Sequence, residues 1–171
     1  MENEIAKKPK LLLVDDEPHV VENLKIRLES DFDVKTANSV DNALEMLKRT
    51  GDIKIIISDQ RMKGKEGSDL LKAVSENYPD IVRIMLTGFP EYDTAYKAIK
   101  DGKVFDYIIK EGGYLNGIVK TALKAYEWYN TQKEMRMLRE LAHQNSDDEV
   151  IQLEKSHGVP GLKKNLLLKI T

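Results

Sequence analysis

Five short runs of apolar and β-branched residues punctuate the chain: Leu11 to Val14, Asp33 to Ala37, Ile53 to Ser58, Ile81 to Thr87 and Phe105 to Ile109. Between them the period changes. Val20, Val21, Leu24 and Leu28, then Val40, Ala43, Leu44 and Leu47, then Leu70, Leu71 and Val74, then Ala95, Ala98 and Ile99 recur at three and four, the spacing that gathers side chains on one helix face. The pattern predicts strands alternating with amphipathic helices. Gly51 and Gly102 stand where the second and fourth predicted helices should stop in a left-handed cap, and Pro18 stands where a first helical turn tolerates it. Strict alternation implies right-handed crossovers and a parallel sheet covered on both faces. The first, third and fourth runs are nearly all apolar, as that burial requires. The expected fold is α/β, a doubly wound five-stranded parallel sheet.

Composition narrows the class of protein. With 171 residues, 41% hydrophobic and 33% charged, the chain suits one globular domain with a moderate extension. A net charge of -2 gives no global reason to expect a polyanion partner, so nucleic acid is the weaker expectation. There is no cysteine for a disulfide or a thiolate metal site. No stretch approaches the roughly 20 apolar residues that span a bilayer, and the opening MENEIAKKPK lacks the apolar region of a signal peptide. A cytoplasmic protein without membrane contact is expected.

In open parallel sheets ligands bind beyond the carboxyl ends of the strands, where the strand order reverses. The residues that end each run are therefore the ones to read. The first ends in Asp15, Asp16 and Glu17, the third in Asp59, the fourth in Thr87 and the fifth in Lys110. Carboxylates crowded from two strand ends repel one another unless a cation sits among them, and a hard, oxygen-only set with open positions suits Mg²⁺. One ammonium and one hydroxyl stand opposite, as a transferring phosphoryl group requires. No GxxxxGK[ST] loop is present, so a nucleotide is not the obvious donor. Taken singly, each residue has a plainer role: Asp15 or Asp16 as a helix cap near Pro18, Asp59 as a turn acid, Thr87 as a strand residue, Lys110 as a solvated loop lysine. His19, His143 and His157 are scattered and suggest no ligand set.

The segments LLLVDDEP, IIISDQRM, MLTG and DYIIK, in this order, resemble the receiver domain of bacterial two-component response regulators over roughly residues 9 to 126. The resemblance implies the flavodoxin-like (βα)5 receiver fold, with Asp59 accepting a phosphoryl group from a sensor histidine kinase or phosphotransfer protein. It implies Mg²⁺ bound directly by Asp16, Asp59 and the backbone carbonyl of Arg61, with Asp15 acting through water. Lys110 would pair with the phosphate, Thr87 would hydrogen-bond it, and Tyr107 would be an aromatic switch. Phosphorylation and hydrolysis would be catalysed largely by the regulator itself, which makes it a signalling protein and not an enzyme in the usual sense. Two residues depart from the pattern: Lys63 follows Met62, and Glu111 follows Lys110, where such domains often carry proline. A cis bond before Glu111 would cost about 2.5 to 4 kcal/mol. A trans bond is expected, with Gly112 and Gly113 absorbing the change of path.

Beyond the domain, Leu115 to Leu141 is rich in helix formers and would make one helix of roughly 40 Å, longer than a helix covering this sheet requires. Ile118, Ala122, Ala125 and Tyr129 fit a seam of 3.5-residue period that resumes out of register at Met135, Leu138 and Leu141. The organisation expected is a tail over 1–8, a receiver domain over 9–126, a helical extension over 127–142 open to coiled-coil pairing, and a tail over 143–171 with a final LLLKI. In the receiver family the face of the fourth helix, fifth strand and fifth helix commonly dimerises, which implies a homodimer here. Three classes stay open at this point. One is a receiver without an effector domain, another a DNA-binding regulator, and the third a haloacid-dehalogenase-like phosphotransferase, although Gln60 and Arg61 after Asp59 do not give the DxD pattern of the last.

Overall fold

The computed structural model describes residues 7–88 and 104–144, with side chains as far as residue 140. Strands β1 (Lys10–Val14), β2 (Asp33–Ala37), β3 (Ile53–Asp59), β4 (Val82–Thr87) and β5 (Asp106–Ile109) form one sheet in the order β2-β1-β3-β4-β5, every neighbouring pair parallel. Helices α1 (Pro18–Leu28), α2 (Val40–Thr50), α3 (Gly67–Asn77) and α4 (Tyr114–Gln144) accompany it. The doubly wound flavodoxin-like architecture expected from the alternation is the one observed. The fourth predicted helix, with Ala95, Ala98, Ile99 and Gly102, lies outside the described residues, as does the tail beyond 144.

Alternation along each strand builds two cores. Leu12, Val14, Ile56 and Met85 point to one face, where Val40, Ala43 and Leu47 of α2 and Leu70, Leu71 and Val74 of α3 cover them. Leu11, Leu13, Ile55, Ile57, Ile84 and Leu86 point to the other, under Val20, Leu24 and Leu28 of α1 and Ile118, Ala122 and Ala125 of α4. Burying each such side chain contributes about 1.5 to 3 kcal/mol. Three of the four residues of the 3.5-residue seam are thus committed to this core, and the fourth, Tyr129, packs half-buried against it. The helix starts follow local chemistry. Pro18 occupies the first turn of α1, and the Ser39 hydroxyl caps α2 by accepting from the Asn42 amide at 3.2 Å. Gly51 ends α2 at φ 51°.

Two details depart from a regular sheet and helix. The register of β1 on β3 skips from Lys10↔Ile53 to Leu11↔Ile55, so Lys54 is an inserted bulge residue. Its ammonium pairs with Asp52, itself at φ 56°, and lies 5.0 Å from the centroid of the Tyr129 ring. Along α4, Tyr126 stacks with Tyr129 and meets Phe32 edge-on, and Trp128 packs against Phe105 at 5.8 Å. The chain divides into two compact units, Met1–Tyr129 and Asn130–Thr171.

Candidate functional site

The strand order reverses between β1 and β3, so the crevice at their carboxyl ends is the place where this topology can admit a ligand. β1 is followed by Asp15 and β3 ends in Asp59; the two are 1% and 5% exposed. Both carboxylates converge on one cation. The Lys110 ammonium, just past β5, lies 2.8 Å from Asp15 Oδ2 and 2.7 Å from Asp59 Oδ1. Lys110 is brought there by its backbone, whose N–H donates to the Thr87 carbonyl at 2.6 Å. Among the described residues no peptide bond is cis, and Gly113 takes φ 87° where the chain turns from Lys110 into α4.

The remaining oxygens of the acids are held by amides. Asp15 Oδ1 accepts from Glu17 N at 2.9 Å, and Asp59 Oδ2 accepts from Arg61 N at 2.7 Å. Asp16 is half-buried and its Oδ2 accepts from Lys63 N at 3.1 Å. A proline at position 63 could not make that bond. Neither Asp15 nor Asp16 caps α1: the cap residue is Glu17, which makes no side-chain capping bond. The plain capping role is therefore not the one these acids play.

Burial, the largest influence, pushes the Asp59 carboxyl above the usual carboxylate range, against the opposing pull of Lys110. For Lys110 burial acts downward, yet its hydrogen bonds to Asp15 and Asp59 and their charges together raise it, so the ammonium stays charged. Thr87 is buried at the end of β4, beside Lys110 in the backbone ladder. Tyr107 is half-buried, opposite Met85 in the β4–β5 register, and packs against the α2 and α3 face of the sheet.

The structure thus brings Asp15, Asp59 and Lys110 into direct contact, places Thr87 next to them, and ties Asp16 and Arg61 to the loop between β3 and α3. Among the described residues no three acidic or histidine side chains close into a metal-binding group. The donor set still fits a hard divalent cation. It is oxygen-only, and two buried carboxylates already aim at a single positive centre. A groove of about 470 Å³ opens beside it, lined by Asp15, Asp16, Thr36, Asn38 and Asn42 among others. Two residues of the site were not singled out from the sequence. Gly67 begins α3 so close to the end of β3 that a Cβ there would lie 1.9 Å from the Asp59 carbonyl oxygen. Gln60 binds the start of α3 through its side chain. A glycine opening an amphipathic helix, in KGKEGSDLL, was the available signal for the first.

Comparison with known proteins agrees with this geometry. The hydrogenase transcriptional regulatory protein HoxA of Cupriavidus necator is 32% identical over 132 residues, 77% of this chain and 27% of HoxA. The chain therefore spans about a quarter of the length of such curated relatives. Among solved structures, the signal receiver domain of an HD domain-containing protein from Pseudomonas fluorescens Pf-5 superposes with a TM-score of 0.68 at 25% identity, covering 76% of this chain and 95% of that one. The response regulator protein TrrA of Thermotoga maritima, in complex with Mg²⁺-BeF, superposes with a TM-score of 0.60 at 25% identity, covering 68% of this chain and 97% of that one. The family model for the response regulator receiver domain matches residues 11–121. With the sheet order, the strand-end acids and this match in agreement, the chain belongs to the family of two-component response regulator receiver domains.

Proposed function

We propose that Asp59 is the phosphoacceptor of a two-component relay and that its modification switches a protein-interaction surface. The observation that carries this is the convergence of Asp59, Asp15 and Lys110 on one buried point at the switch of strand order. Asp59 is held by the Arg61 amide on Oδ2 and by Lys110 on Oδ1, so its carboxylate is fixed in orientation. In the reaction one Asp59 oxygen forms a bond to phosphorus while the bond from phosphorus to the donor breaks, the electron pair leaving with the donor. Where the donor is a phosphohistidine, the bond that breaks is P–N. Water attack on the acyl phosphate then restores the carboxylate and releases inorganic phosphate.

Asp16, Asp59 and the Arg61 carbonyl would hold Mg²⁺ directly, and Asp15 through water. The chemistry supplied by the metal when bound is neutralisation of charge on the phosphoryl oxygens. Lys110 carries a charge that can pass from carboxylate to phosphoryl oxygen, and the Thr87 hydroxyl orients another of those oxygens. Because Lys110 and Thr87 share a backbone hydrogen bond, movement of one is felt by the other and by Tyr107, which pairs with Met85 in the same β4–β5 ladder. The partners are a sensor histidine kinase or phosphotransfer protein, and a second copy of the chain through the predicted fourth helix, β5 and α4.

Incubation with Mg²⁺ and acetyl phosphate, followed by mass spectrometry, tests the assignment. One base-labile phosphoryl group on Asp59 is expected, absent in Asp59→Asn because an amide is not a competent nucleophile. Full modification of that variant on another residue would overturn it.

A further inference from the structure

We propose that Gln60 is a positioning residue: it closes the loop between β3 and α3 so that two amides of that loop hold the Asp59 and Asp16 carboxylates. The proposal deepens the reading of Asp59 as phosphoacceptor and rests on it for its functional meaning.

Four bonds join the two ends of the loop at Gln60, and a fifth ties Gln60 to β4. Its backbone N–H donates to the Leu86 carbonyl at 2.8 Å and its carbonyl accepts from Gly67 N at 2.9 Å. Its side-chain Oε1 accepts from Ser68 N at 3.1 Å, and its Nε2 donates towards Glu66 Oε2 at 3.2 Å and Ser68 Oγ at 3.3 Å. The first amides of any helix lack partners within it, and Glu66, the cap residue of α3, makes no side-chain capping bond. Gln60 supplies that acceptor from outside the helix. Gly67 then seats the helix start directly on the Asp59 backbone, where only a hydrogen fits. Between these anchors the loop sends Arg61 N to Asp59 Oδ2 at 2.7 Å and Lys63 N to Asp16 Oδ2 at 3.1 Å. The Arg61 carbonyl lies in the same stretch of backbone. One closed loop therefore sets two carboxylates and one carbonyl oxygen together, and the amide side chain of Gln60 spans it alongside the backbone bond from Gly67 and the antiparallel bridge between Arg61 and Glu66.

Backbone amide hydrogen exchange, followed by NMR on the metal-free full chain, tests the proposal without metal or phosphoryl donor. Gln60→Ala is expected to speed exchange about tenfold at Arg61 and Lys63 as well as Ser68, with β1 and β4 unchanged. Calorimetry should show the Mg²⁺ dissociation constant raised about three- to tenfold. Gln60→Glu alone sets two carboxylates against each other and should behave like Gln60→Ala. Combining Gln60→Glu with Glu66→Gln exchanges acceptor and donor and should return both readouts to within about twofold of the parent chain. Faster exchange confined to Ser68 would reduce Gln60 to a helix cap and overturn the proposal, as would unchanged exchange throughout. Loss of Asp59 labelling by acetyl phosphate in the parent chain, with the exchange pattern as expected, would instead count against the phosphoacceptor reading alone.

Discussion

Two lysines sit at opposite strand ends of one sheet, one at the amino ends and one at the carboxyl ends, each joined to a carboxylate. Lys54, at the amino end of β3, and Lys110, past the carboxyl end of β5, have side chains only 19% and 14% exposed. Their partners differ. Asp52 is 64% exposed, so the charge opposite Lys54 stays in water, and much of what holds Lys54 is the face of Tyr129. Lys110 faces two buried acids, and the three groups together leave one negative charge uncompensated where water cannot reach it well. The first arrangement is a staple, complete in itself. The second is neutral only when more positive charge arrives, which is the physical difference between a structural contact and a site.

Removing the lysines breaks the comparison most sharply. Lys110→Met leaves Asp15 and Asp59 facing each other and should lower stability by about 3 to 5 kcal/mol without divalent cations, with Mg²⁺ restoring much of the loss in a urea titration. The loss depends on pH. Burial already raises the Asp59 carboxyl, so its folded value exceeds its unfolded one, and the folded state binds more protons between the two. Stability is then lost as pH rises through that window, and the variant should be closest to the parent in mild acid. A flat difference from acid to neutral pH would mean that the two acids are not coupled to Lys110 in solution. Gly67→Ala tests the tightness of the same end. Its Cβ would meet backbone, which cannot swing aside, so a loss of about 2 to 3 kcal/mol is expected. Lys54→Met should cost only about 0.5 to 1 kcal/mol by thermal melting, with Mg²⁺ affinity unchanged. A larger loss there would erase the distinction between the two ends.

The fold was legible because its signals were redundant. Apolar runs long enough for buried parallel strands alternated with amphipathic helices, and Pro18 and Gly51 marked boundaries with known stereochemistry. The site was legible for a topological reason: strand ends converge, so Asp15, Asp59, Thr87 and Lys110 could be read as neighbours before any distance was known. Other features were hidden. Neighbouring acids at a strand end point different ways, so the sequence could not show that Asp15 would take the lysine while Asp16 turned to the Lys63 amide. A core stripe and a heptad seam look alike over three turns, which is why Ile118, Ala122 and Ala125 suggested pairing between chains and instead face the sheet. The bulge left one trace, a lysine inside IKIIIS, but a charged residue in a strand does not reveal a register shift. Gln60 left none, because a glutamine that spans a loop acts through its shape and not through its class.

Lys110 is separated from Asp15 by 95 residues. At a synthesis rate of about 5 to 20 residues per second, the first acid waits roughly 5 to 20 s on the ribosome for its counter-ion. During that interval β1 and β3 can exist, but bringing their ends together would bury two charges with nothing to offset them. The centre of the sheet, made from its earliest strands, is therefore finished by its last one, and the order of chain growth and the order of closure run in opposite senses.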